Sequence, residues 1–242
     1  MGRSFTERME IPSTRMPTKK DLKKEWTRQE IDEQLGDFKV VTVPVDIRLE
    51  GGQKVLNFSD AESILRNATL ISLEPCTCRQ KMGNCDGPVE DICIGVNDGA
   101  KEAITLRQGR EASFEEAMAA LERTHEAGLV HMSFELEGHV MSAICGCCQC
   151  CCHALAAMTR FGGYDGLIGN SDMIAVHDES KCTNCQVCVD KCQFDAWGLV
   201  GGKVRHYSGK CTGCGVCVSF CPEGSIELVA RQNVGSGSGR AV

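Results

Sequence analysis

The chain has 242 residues, 42% of them hydrophobic, which is enough for two small domains with cores of their own. Its formal net charge of −7 argues against nucleic acid as the main partner, because phosphate binding requires concentrated positive charge. No apolar run approaches a membrane span, and the start MGRSFTERMEIPSTRMPTKK lacks an apolar signal core, so the eighteen cysteines read as thiols of a reducing, cytoplasmic protein and not as a secreted disulfide scaffold.

Residues 1–36 read as a charged helical arm. Thr18 is the expected cap of a helix running through DLKKEWTRQEIDEQL to a stop at Gly36, with Leu22, Trp26, Ile31 and Leu35 forming a narrow stripe that docks on its own domain. Residues 37–165 read as a cysteine-rich α+β domain. Phe38 to Val45 is strand-like, Gly51-Gly52 is a turn, and the capping box Ser59-Asp60-Ala61-Glu62 opens a helix to about residue 68, before a buried strand over Thr69 to Leu73. A second box, Ser113 to Glu116, opens a helix that runs to Ala127 and is ended by Gly128; Leu129 to Leu136 and His139 to Ile144 then form a hairpin across Glu137-Gly138. Phe161 to Ser171 is a linker with few obligatory contacts, leading to a domain over 178–230, and residues 231–242 are a flexible tail.

The C-terminal region carries two cysteine quartets of one spacing: Cys182, Cys185, Cys188 and Cys192, then Cys211, Cys214, Cys217 and Cys221 followed by Pro222. Three thiolates at two-residue intervals let one loop wrap three corners of an iron–sulfur cubane, and a fourth after a three-residue gap leaves on a helix toward a second cluster. The repeat extends to Lys181-Cys182-Thr183 against Lys210-Cys211-Thr212. Over about 178 to 230 the chain resembles a bacterial-type 2[4Fe-4S] dicluster ferredoxin. That resemblance implies a ferredoxin-like α+β fold of two strand-loop-helix-strand repeats and crossed ligation, with Cys182, Cys185, Cys188 and Cys221 on one [4Fe-4S] cluster and Cys192, Cys211, Cys214 and Cys217 on the other. The chain departs from the family pattern at Gln193, where proline is usual, with a consequence expected for packing and potential at that end. Paired zinc sites also use CxxC pairs, but zinc does not call for eight cysteines in an interleaved doublet.

Ten cysteines remain. Cys76, Cys78, Cys85 and Cys93 lie in glycine- or proline-bearing loops, and Cys145, Cys147, Cys148, Cys150, Cys151 and Cys152 crowd a single short stretch before His153. Idle thiols this close would oxidise, so all ten are candidate metal ligands, sufficient for one or two further iron–sulfur clusters, with zinc as the alternative in one site. Cys76, Cys78, Cys85 and Cys93 are one possible set, with four downstream cysteines as another; an interleaved scheme is the competing grouping. The stretch from Val55 through Cys152, with its PCxCR loop and CxCCxCCC run, resembles the cysteine-rich module of uncharacterised multi-cluster iron–sulfur proteins of anaerobes. Arg79 and Lys81 either support thiolate charge or are simply exposed. His131 and His139 read as hairpin or core residues, and His153 as a hydrogen-bonding neighbour of the cysteine run.

No nucleotide-binding glycine motif, P-loop or catalytic triad emerges, so no catalytic residue is assigned. The reading is a multi-cluster electron-transfer protein or subunit that passes low-potential electrons to a partner oxidoreductase. One alternative is a reductase or activator component with an unusual cluster in the cysteine-rich domain. A second is an iron–sulfur redox sensor, suggested by the helix-then-hairpin order of a winged helix and opposed by the acidic balance. Oligomeric state leaves no signal in the sequence.

Overall fold

The computed structural model describes residues 22–35, 38–42, 46–50, 53–57, 59–106, 109–136, 142–161 and 168–231. Thr18, Gly36, the expected turns at Gly51-Gly52 and Glu137-Gly138, His139 and the tail from 232 lie outside the described residues.

The elements run α1 (Arg28–Leu35), β1 (Phe38–Thr42), β2 (Asp46–Glu50), β3 (Gln53–Asn57), α2 (Ser59–Arg66), β4 (Ile71–Glu74), α3 (Thr77–Met82), β5 (Cys93–Val96), α4 (Asp98–Leu106), β6 (Arg110–Glu111), α5 (Phe114–Glu126), β7 (Val130–Leu136), β8 (Ala143–Cys147), α6 (His153–Arg160), β9 (Ile168–Gly169) and β10 (Met173–His177). They continue as α7 (Val187–Lys191), β11 (Trp197–Val200), β12 (Lys203–His206), a 3-10 turn over Ser208–Lys210, α8 (Val216–Ser219) and β13 (Ile226–Ala230). The molecule is thus a mixed helix and strand protein.

A seven-stranded sheet with the order β6-β4-β5-β8-β7-β1-β9 organises the first part of the chain. Its two faces carry different chemistry, because side chains alternate along a strand. Ile144 of β8 packs with Ile94, Leu73 and the inward residues of α2 and α5, including Leu65, Ala117 and Leu121. Ala143 and Cys145, one position away on either side, and Cys147, three positions on, join the opposite core with Val130, Met132 and Phe134 of β7, α6 and the arm. Helices α2 and α5 cover one face of the sheet, while the thiols, with α6 and the arm, lie on the other.

The box at Ser113 forms as the sequence indicates: Ser113 Oγ accepts from Glu116 N at 3.2 Å and the Glu116 carboxylate accepts from Ser113 N at 2.9 Å. Gly128 follows the helix with φ of +72°, a left-handed turn that suits glycine. Three expectations are corrected. The arm helix starts at Arg28 and not near Thr18, because Thr27 and Glu30 form the effective capping box, with Thr27 N donating to Glu30 at 2.9 Å and Glu30 N to Thr27 Oγ1 at 3.2 Å. β8 does not end at Ile144 but runs to Cys147, which pairs with Val130. The linker carries more contacts than the few expected, since β9 pairs in parallel with β1 and Ser171 N donates to Thr212 O at 2.9 Å. β7 and β8 are interior strands, so this hairpin has no free wing.

In the C-terminal part β10 pairs antiparallel with β13, and β11 with β12. Their small core holds Ile174, Trp197, Val204 and Ile226 together with cysteines. This part is packed directly on the thiol face of the large sheet through Val216, Phe194 and Phe220. Gln193, only 3% exposed, bridges the two: its Oε1 accepts from Gln149 N at 2.6 Å and its Nε2 donates to Gly128 O at 3.0 Å.

Candidate metal centres

Cys182, Cys185, Cys188 and Cys221 line one small cavity, and Cys192, Cys211, Cys214 and Cys217 line another. The two loops share their backbone shape. Asn184 and Gln186 have φ of +59° and +68°, and the equivalent Gly213 and Gly215 have +76° and +81°. These left-handed residues turn the chain between successive cysteines, so that three thiols face inward. Gly213 is constrained further, since a Cβ there would lie 2.0 Å from Met173 O. Amides point at sulfur, with Asn184 N 3.4 Å from Cys182 Sγ and Ser225 N 3.4 Å from Cys221 Sγ. Burial pushes the Cys188 and Cys214 thiols up to about 12. Thiolates here therefore require a compensating cation, which an iron core supplies.

A third group lies under the large sheet. The sulfurs of Cys85, Cys148, Cys150 and Cys151 all fall within 4.8 Å of one another. Cys85 comes from the loop after α3, and the other three from a tight turn closed by Cys151 N and Cys152 N donating to Cys148 O at 3.2 and 2.9 Å. Asn84 Nδ2 donates to Cys150 O at 2.6 Å, and Trp26 Nε1 to Cys151 O at 2.8 Å, so the arm and the α3 loop both hold this turn. Cys148 and Cys150 push in opposite directions: neighbouring Cys150 and Cys151 hold Cys148 down to about 7, while Cys148 drives Cys150 up. The group tolerates few negative charges by itself and is suited to a tetravalent set of ligands around metal.

The grouping of Cys76, Cys78, Cys85 and Cys93 does not form. Cys85 lies with the quartet, whereas Cys76, Cys78, Cys93, Cys145, Cys147 and Cys152 line a cavity of about 230 Å³ that Cys151 also borders. The structure therefore interleaves the two cysteine regions. Cys78 Sγ is 3.2 Å from His153 Nδ1, the hydrogen-bonding place expected of that histidine. His131 is a buried neighbour of Thr124, 2.7 Å from its hydroxyl. Arg79 is buried beside Cys148, but Lys81 turns outward to Glu30 at 2.9 Å and covers the Trp26 ring. Asn84, Trp26 and Gln193 were not legible as site residues, because each acts through long-range bonds to backbone groups.

Compared with known families, residues 174–222 match the model of a 4Fe-4S dicluster domain. No curated protein matches the chain. The dicluster domain supports an iron–sulfur electron-transfer role, and ferredoxin-type domains hand electrons to partner proteins. Among the described residues no helix is long and apolar enough to cross a membrane.

Proposed function

We propose that the chain is a cytoplasmic electron carrier that passes low-potential electrons, one at a time, through a row of iron–sulfur clusters to a partner oxidoreductase. In this reading Cys182, Cys185, Cys188 and Cys221 hold the outer [4Fe-4S] cluster, Cys192, Cys211, Cys214 and Cys217 the inner one, and Cys85, Cys148, Cys150 and Cys151 a third. The observation that carries it is the covalent and hydrogen-bonded bridge between neighbouring sites. Cys192 is followed by Gln193, whose carboxamide accepts from Gln149, the residue between Cys148 and Cys150. A rigid short bridge of this kind keeps successive centres close. At the other end Cys185 is the one exposed cysteine among the described residues, which favours the outer cluster as the face for exchange with a partner. The acidic surface would steer docking toward a basic patch on that partner.

Anaerobic reconstitution followed by an EPR-monitored redox titration tests the reading. Low-potential [4Fe-4S] signals lost separately in Cys185→Ser and Cys214→Ser support it. A reconstituted chain that takes up no electrons in this region overturns it.

A further inference from the structure

Once the quartet is formed, six N-terminal thiols remain, and they converge on one place. Cys93 and Cys145 are direct cross-strand partners on β5 and β8. Cys147 lies two residues along on the same face of β8, so the pleat aims both β8 thiols the same way. Cys76 and Cys152 occupy the positions just before α3 and α6, and Cys78 lies within the first turn of α3. The six, together with Cys151 of the quartet, line a single cavity of about 230 Å³.

A void of this size is not a packing defect, because interiors are close-packed and a dry cavity is apolar. Nor does the space suit a single zinc ion. Zinc draws four sulfurs to about 2.3 Å, which would leave two buried thiols unused and much of the cavity empty. A single cubane also takes four thiolates and strands the same two.

We propose that Cys76, Cys78, Cys93, Cys145, Cys147 and Cys152, which line this one cavity, together hold a single iron–sulfur cluster of more than four irons. Six thiolates are two more than a single cubane takes, so a larger core would use all of them. The quartet lies next door, since Cys151 reaches both groups of sulfurs. This centre deepens the electron-carrier reading, on which it rests for its supply of electrons, and would be the terminus of the row.

The test is iron and acid-labile sulfide per chain in the full-length protein, reconstituted without oxygen, with Mössbauer spectra. Three four-iron clusters account for about twelve irons, and the proposal expects about twenty, with a spectral component unlike that of cubanes. The double variant Cys93→Ala/Cys145→Ala should fall to about twelve while keeping the EPR signals of the C-terminal clusters. A wild-type count of about twelve, a count of about sixteen with cubane spectra alone, or one zinc in place of the extra iron overturns the proposal. Should the double variant fail to fold, Cys78→Ser, at a half-buried position, serves instead: loss of the non-cubane component supports the centre and its retention overturns it. The count reads only this cavity. Failure of the C-terminal clusters to take up electrons would instead sink the carrier reading, whatever the count.

Discussion

The Arg79 guanidinium lies with Nη2 3.5 Å from Cys148 Sγ, in a site where the residue is only 2% exposed. The same group donates to Gly146 O at 3.1 Å and to Pro88 O, so its orientation is set from two sides. A fixed positive charge beside a ligand sulfur stabilises the reduced cluster more than the oxidised one. Arg79→Met is therefore expected to make the quartet's potential more negative, on the order of 50 mV, the one-electron equivalent of about 1 kcal/mol. Redox titration of the signal lost in Cys150→Ser would measure it; an unchanged potential would show that the guanidinium is structural only.

Gln193→Pro restores the residue usual in ferredoxins and removes the bridge. It leaves Gln149 N and Gly128 O without their partner and should cost about 2–4 kcal/mol of docking between the two parts. The C-terminal clusters should keep their spectra while electrons reach the quartet more slowly. Gln193→Glu, which keeps the acceptor for Gln149 and loses the donor to Gly128, should fall between. Freeze-quench kinetics with equal rates in all three proteins would refute the bridge as a conduit.

Gly213→Ala combines a φ of +76° with a Cβ 2.0 Å from Met173 O, and neither can be relieved locally. The loop should open and release about four irons from the inner ferredoxin site. Gly224 has φ of +56° with nothing near its Cβ, so Gly224→Ala should cost only about 1 kcal/mol and no iron. Metal analysis of the two variants side by side separates backbone strain from collision.

Burial pushes His125 down to about 4 and His131 down to about 3 from the ordinary 6.5. Both are neutral in the fold, so below pH 6.5 the unfolded chain binds more protons than the folded one. Stability is therefore complete above that pH and is lost as pH falls toward the folded values. At about pH 5.5 each histidine should cost about 1 kcal/mol. Neither ring nitrogen of His125 has a hydrogen-bond partner among the described residues, so His125→Leu should remove half of this slope without a penalty at neutral pH. Urea unfolding at the two pH values checks it.

Legibility in the sequence followed the range of the interactions. The thiol spacing within each quartet is local, and one loop carries three sulfurs, so spacing shows three cysteines of each cavity; the fourth, Cys221 or Cys192, comes from the other repeat, as the family resemblance implies. The quartet depends on the turn after β8 meeting the loop after α3, which no local spacing reports. Part of the signal was nevertheless present. Ala143-Ile144-Cys145-Gly146-Cys147 alternates between the two faces of the sheet, and Gly146 is needed because a Cβ would meet Thr124 at 2.6 Å. Reading that alternation through Cys147, and not stopping at Ile144, separates the β8 cysteines from those of the turn. The arm misled for a comparable reason: Thr18 and Thr27 both precede plausible helices, and only Thr27 has its glutamate three residues on.

The hydrogen bond from Trp26 to Cys151 O, with Asn84 accepting from Lys23 and Lys24 amides and donating to Cys150 O, gives the quartet a chronology. Cys148, Cys150 and Cys151 are buried beneath this strap, so the iron and sulfide of the proposed third cluster would have to arrive before it closes. Maturation then has a fixed order, with metal first and arm second. The same latch slows loss of the finished cluster, and a chain whose strap is held open by Trp26→Ala should load faster and leak faster, changing the lifetime of the cofactor more than its chemistry.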